Sequence, residues 1–496
     1  MNLRRNLLAG LANSGWSALV GFAVVPFYLK YLGMEAYGLI GFFMTVQVMF
    51  QLLDMGMAPT MNREVARCSA SGQLRDAGKL LHTLGVIYWC VAIVIGLSVV
   101  LLAPVIASQW LKSKDLPGQT VVNALMLMGL VVASRWPIGL YQGALIGAQR
   151  MTVSSAVNMS MVTLGSVGAV IILAFVSPTI EAFFAWQAFV GLVYAVTLRK
   201  VTWWVIGKSD ANRFDTAELK RIWRFTAGMS AIGLTGLVFS QLDKVILSKV
   251  LALEDFGHYM LASVVVSGLY ILITPVFNLI YPRFSAFVAK GDFEELKNQY
   301  RIGTRLLASI LFPLAMFLAV FAEEIVAIWT GDRIIAEKVA PVIGLLAVGS
   351  ALHGIMYFPY ALQLAHGLTK LPLKINLILM TFQAPLVVFL AAKHGAFGGA
   401  AAWLLLHSAY LLIGTLLTHQ TLLKGNAISW LFKEVGTPLC FALVASAALV
   451  YMRVSSSIEL PAQLVTGAIL AAFVIAISMI TSSELRVQFY DRFGRS

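Results

Sequence analysis

The dominant pattern along the chain is a run of continuously apolar stretches, each near the length of a membrane crossing, separated by short polar breaks. A helix needs about 20 mostly apolar residues to cross the hydrocarbon core. Residues 9–29, 37–58, 81–107, 120–144, 153–176, 182–204, 225–250, 257–280, 303–328, 339–363, 372–392, 396–420, 435–452 and 461–481 each meet that requirement, so the pattern predicts fourteen transmembrane helices. None of them alternates apolar and polar residues as the strands of a membrane barrel do. The first stretch follows Arg4 and Arg5 and imitates a secretory leader. Its apolar part runs on to Leu29, past the roughly 7–15 residues of a leader's core, and reads as an uncleaved first span. The two longest connections, 62–80 and 205–224, are basic, which leaves function to sit among the helices.

Composition agrees and narrows the class. The chain is 59% hydrophobic and 12% charged, about half the charged share of a soluble protein. Forty glycines suit helices that pack closely in a bilayer. Three cysteines, Cys68, Cys90 and Cys440, have neither disulfide nor metal spacing. A net charge of +13 would suit a nucleic-acid binder, but in a membrane chain the basic residues instead mark the cytoplasmic face. With both termini inside, the outer side holds nine basic residues: Lys30, Lys112, Lys114, Lys244, Lys249, Arg333, Lys338, Lys393 and Arg453. Arg135 lies within a span, and the other 26 of the 36 Lys and Arg are inside. A misplaced span would scramble that asymmetry.

The chain also repeats itself. Leu32-Gly33-Met34-Glu35-Ala36-Tyr37-Gly38 matches Leu251-Ala252-Leu253-Glu254-Asp255-Phe256-Gly257 at an offset of 219, and the segment 144–152 matches 361–369 at an offset of 217. Six helices separate the copies, an even number, so the halves share one orientation, and in transporters with such parallel repeats the cavity forms between them. The predicted organisation is an N-terminal lobe of six helices (1–206), a cytoplasmic linker (207–224), a second six-helix lobe (225–421), and helices 13 and 14 with a tail (422–496).

Several short motifs carry a family resemblance: Tyr31-Leu32-Gly33 with Tyr37-Gly38, Leu53-Asp54-Met55-Gly56-Met57, Arg63-Glu64-Val65-Ala66-Arg67, Gly143 to Met151, and Gln241-Leu242-Asp243-Lys244. With them the chain resembles the polysaccharide transporter family of the multidrug/oligosaccharidyl-lipid/polysaccharide (MOP) exporter superfamily, which includes the O-antigen flippases. The resemblance implies an all-α fold of two six-helix lobes in a V, working by alternating access. It also implies a cargo, an undecaprenyl-pyrophosphate-linked oligosaccharide carried across a bacterial inner membrane, and a setting beside polysaccharide polymerases and glycosyltransferases.

Moving a pyrophosphate and its sugars through hydrocarbon calls for a wet cavity with cations, so buried ionisable residues come first. Arg135, deep in helix 4, is the leading phosphate ligand, since a guanidinium binds phosphate oxygens bidentately; its structural alternative is a pairing with Asp54 or with backbone carbonyls. Lys244, Arg224 and Arg305 are further phosphate candidates, the last two at cytoplasmic helix starts where they also serve as orientation anchors. Asp243 and Asp54 are the candidates for a coupling ion; their structural alternatives are a pairing with a base for Asp243 and an interfacial cap or loop contact for Asp54. Asn13 and Trp16 in helix 1, with Tyr270 and Asn278 in helix 8, offer amides and rings for sugars, or equally for helix packing. The seven histidines are scattered and suggest structural roles. No phosphate-binding glycine loop is present, so a proton or sodium gradient is the expected energy source and no cofactor is required. A multidrug exporter of the same superfamily is the alternative, although cationic drugs call for buried acids. A membrane enzyme fits less well, for no His/Asp arrangement stands out near the outer surface.

Overall fold

A computed structural model describes residues 3–207, 214–423, 425–455 and 460–480. The described residues form helices joined by short turns, and by compactness the chain divides into two units, Met1–Gly257 and His258–Ser496. The first unit holds α1 (Leu3–Phe50), α2 (Met57–Ala70), α3 (Ala77–Gln109), α4 (Gly118–Arg135), α5 (Ile138–Gly147), α6 (Met151–Phe175), α7 (Ile180–Ile206) and α8 (Thr216–Val250). Next comes α9 (Leu253–Ser267). The second unit continues with α10 (Tyr270–Lys290), α11 (Phe293–Val320), α12 (Ala322–Thr330), α13 (Arg333–Ile355), α14 (Tyr357–Ala365), α15 (Lys370–Leu422), α16 (Ala427–Trp430), α17 (Thr437–Ser455) and α18 (Leu460–Ile480).

Among the described residues, eleven helical stretches are long and apolar enough to cross a membrane. Two of these, Leu8–Phe50 and Lys370–Leu422, are too long for one crossing: 43 and 53 residues span roughly 65 and 80 Å, against a hydrocarbon core of about 30 Å. Each leaves helical geometry at one glycine, Gly33 (φ 79°) and Gly395 (φ 59°), where an L side chain would be strained. Each is therefore two crossings, and with the 35-residue α8 the count reaches the fourteen expected. The chain is a multi-pass membrane protein.

The repeat is visible in what packs on what. In the first unit α3 packs on α4, α4 on α7 and α2 on α5; in the second α11 packs on α13, α13 on α15 and α10 on α14. The breaks repeat too. The fourth crossing is interrupted between α4 and α5 at Trp136–Pro137, and the tenth between α13 and α14 at Met356. Sequence patterning merged these pairs into single spans, because apolar residues continue across each break. The second crossing is broken at Gln51–Gly56, with Met55 and Gly56 left-handed, and the eighth between α9 and α10. Part of the basic connection 62–80 is itself helical, as the end of α2.

The motif around Glu35 has a structural explanation. Its nearly buried carboxylate accepts hydrogen bonds from the backbone N–H groups of Lys114, Asp115 and Leu116 at 2.6–2.9 Å, fixing the turn between α3 and α4. Trp110 and Lys112 tie the same turn to the end of α8 through the Ser248 hydroxyl and the Val250 carbonyl. Replacing Glu35 with Ala strands three donors, and we expect a loss of about 3 kcal/mol. Thermal unfolding of the purified protein in detergent checks this, and an unchanged midpoint would refute it.

Candidate functional site

Arg135 is the last residue of α4, and its position follows from local sequence: Pro137 has no N–H to continue the helical ladder, so the helix breaks just beyond the guanidinium. Its partners come from two helices, α1 and α7. Nη1 donates to Gln47 Oε1 at 3.2 Å, Nη2 donates to Gln187 Oε1, and the guanidinium carbon stands 5.7 Å from the centre of the Phe43 ring. Gln187 is held in turn by donating to the Gly165 carbonyl at 3.2 Å. These contacts include no carboxylate. The side chain keeps some exposure, and two amide acceptors leave most of its five donors for something else.

The suggested pairing of Arg135 with Asp54 does not form. Asp54 accepts instead from the Tyr88 hydroxyl and, at 3.3 Å, from the Ala58 N–H, holding the start of α2 at the break in the second crossing. Asp243 and Lys244 sit on adjacent positions of α8 and pair with each other, 3.3 Å apart, Asp243 nearly inaccessible and Lys244 partly so. Arg305 is buried and donates to the backbone carbonyls of Lys433 and Ser478, so it joins α11 to the segments carrying helices 13 and 14. Arg224 has its side chain outside the described residues.

Of the sugar candidates, Asn13 and Trp16 make a polar seam between α1 and α6. Asn13 accepts from Asn158 at 2.7 Å and Trp16 donates to Thr163 at 2.8 Å. The seam continues inward from Asn158 to Tyr194 and on to Gln142. Tyr270 is committed differently, its hydroxyl 2.8 Å from His353 Nδ1. Asn278 is exposed on α10, on one face with Thr274 and Tyr281, while Ile271, Pro275 and Leu279 form an apolar exposed face beside it. A lipid-facing helix has no use for the polar face, which suits water. Beside it Phe277 stacks with Tyr281 (5.9 Å, 3°) and Tyr360 (5.7 Å, 18°).

Sequence reasoning missed Gln47, Gln187, Asn158 and Phe277. The glutamines and Asn158 did carry a signal, being amides in otherwise apolar spans; Phe277 carried none. Among the described residues no group of His, Cys, Asp or Glu could hold a metal ion.

If the amides exist to hold Arg135, the two are energetically coupled. A double-mutant cycle of Arg135→Leu and Gln187→Leu should give a coupling of about 1 kcal/mol or more in thermal unfolding; strict additivity would count against the arrangement.

Comparison with known proteins sets these features in a family. A family described as polysaccharide biosynthesis protein matches residues 30–339. No protein of curated function matches in sequence. Among solved structures, the lipid II flippase MurJ in an inward closed conformation is similar at 14% identity with a TM-score of 0.70, over 98% of this chain and 99% of that one. An inward-facing multidrug resistance MATE family transporter of the MOP superfamily is similar at 14% identity with a TM-score of 0.64, over 84% and 95%. The MATE transporter VcmN of Vibrio cholerae is similar at 14% identity and 0.59, over 86% and 98%. The fold is that of the MOP superfamily.

Proposed function

The chain belongs to the polysaccharide biosynthesis protein family, and on that premise we propose that it is a flippase for undecaprenyl-pyrophosphate-linked oligosaccharide, the repeat unit of an O-antigen or exopolysaccharide, in a bacterial inner membrane. The observation that carries the reading is Arg135. An Arg at mid-membrane costs about 2.5–3.5 kcal/mol on insertion scales, and this one has no carboxylate among its contacts to offset its charge. It is held in place by neutral amides, which fix its direction and leave the charge for an anion.

In this reading the pyrophosphate meets Arg135 while the prenyl tail stays in lipid. The sugars meet amides and rings: the Asn13–Asn158 seam of the first unit, and Asn278, Tyr281 and Phe277 on the wet face of α10. Alternating access carries the head group from the inner to the outer leaflet, with both termini of the chain on the cytoplasmic side. A proton or sodium gradient drives it. The candidate acids for that ion are Asp54, half-buried and held by a hydroxyl, and Asp243, buried and held by a lysine. An exporter of cationic drugs would instead use those acids for its cargo.

Replacing Arg135 with Ala should stop surface polysaccharide export while lipid-linked units accumulate on the inner leaflet. Arg135→Lys should restore little, because an ammonium with two of its three donors spent on amides leaves one for the phosphate, where the planar guanidinium can offer two parallel bonds. Surface glycan staining, together with mass spectrometry of the lipid-linked pool, reads both. Undiminished export by the Ala variant would remove the site, and lost export of a cationic dye instead of glycan would favour the drug exporter.

A further inference from the structure

The second unit has at its own helix break a group that the flippase reading has not used. Adding the repeat offset of 217–219 to Arg135 leads to residues 352–354, with His353 at the middle. As Arg135 ends α4, His353 lies in the last turn of the first half of a broken crossing, the one formed by α13 and α14. Where Arg135 reaches to Gln187 on α7, His353 lies against His407 on the second half of α15, their ring centres 4.7 Å apart. We propose that His353, with His407 behind it, is the proton-coupling site of the second unit, a titratable group standing where the first unit keeps a permanent cation.

Three features support this. First, the pair is in reach of exchange: His407 is fully buried, whereas His353 keeps some exposure. His407 donates its Nδ1 hydrogen to the Trp403 carbonyl at 2.9 Å, which fixes the ring's direction. Two imidazoles in contact do not both carry charge cheaply, so the pair takes one proton.

Second, the surroundings are rings and hydroxyls. Tyr270 faces His353 from α10, Tyr357 from α14, and Trp403, His407 and Tyr410 from α15. Of the charged groups on the helices packed against α13, Arg305 of α11 binds the Lys433 and Ser478 carbonyls, Arg301 and Lys297 of α11 pair with Glu434 and Glu294, Lys393 of α15 lies over the Phe389 ring, and Glu323 and Glu324 of α12 pair with Arg333 and Arg453. An imidazolium without a carboxylate is costly when enclosed and cheap when hydrated. The proton therefore binds when the pair meets water and leaves when the rings close over it. Occupancy that follows conformation is what coupling requires.

Third, the site lies on a joint. The Tyr270 hydroxyl stands at the first residue of α10, just past a stretch where backbone bonds shorten to i→i−3 spacing at Gly268 and Leu269. Such tight turns inside a helix often mark hinges. The bond from Tyr270 to His353 thus links the break in the eighth crossing to that in the tenth. With Nδ1 accepting from the hydroxyl, proton uptake there turns Nδ1 into a donor, and Tyr270 must turn its hydrogen elsewhere.

This proposal rests on the flippase reading and is separable from it. The test uses the full-length protein in proteoliposomes, with a fluorescent undecaprenyl-pyrophosphate-linked oligosaccharide as probe, assayed for downhill flipping and for accumulation against a gradient. One proton per substrate lets a pH difference of about one unit sustain about tenfold accumulation. We expect that in the wild type with no sodium present. In His353→Gln the ratio should fall to about one while downhill flipping persists, and His407→Gln should shift the pH dependence of accumulation. If His353→Gln fails to assemble, the His407→Gln profile decides alone, and a wild-type profile there would overturn the proposal. Full gradient-driven accumulation in His353→Gln, or accumulation that follows sodium and ignores pH, would likewise overturn it and leave the flippase reading intact. Absence of any flipping by the wild type would overturn both.

Discussion

Hydrocarbon offers no hydrogen bonds, so each polar group within the bundle must find its partner in the protein, in a cavity's water or in a cargo. That constraint organises both units. Helices continue wherever the sequence is apolar, and the irregular backbone at the broken crossings needs partners of its own. Asp54 serves the start of α2 in the second crossing, Arg135 stands at the break of the fourth, and Tyr270 with His353 bridges the breaks of the eighth and tenth. Several of the polar contacts are therefore found where the helices stop.

Most of the architecture could be read from the sequence because it rests on length and charge, which are local properties. Apolar runs near 20 residues gave fourteen crossings, and two short matches at offsets 217 and 219 gave the repeat that the packing pairs now display. The breaks were less legible. Pro137 and Gly56 are signals, but apolar residues run across both, and a window wide enough to find a crossing smooths them away. Candidate site residues were legible only where a single charge stood alone: Arg135 announces itself, whereas its partners Gln47 and Gln187 lie 88 and 52 residues away in sequence. The same distance hid the histidine pair, since His353 and His407 read singly as two scattered residues. Adjacent Asp243 and Lys244, about 100° apart around the helix, gave no reason to expect the pairing they make.

Between the units the repeat preserves position and changes chemistry. At equivalent places one has a guanidinium braced by amides and the other two imidazoles packed among aromatic rings. Copies that keep the helix break but differ in what stands beside it can divide labour, one presenting a fixed charge and the other a variable one.

Arg305 has a consequence for the last two membrane helices. Only 5% exposed, it spends donors on the carbonyls of Lys433 and Ser478, both beyond the twelfth crossing. A chain trimmed to twelve helices would leave that guanidinium facing lipid with those bonds gone, so α17 and α18 are not a detachable accessory. Any shortening, by design or by descent, would have to neutralise position 305 in the same step.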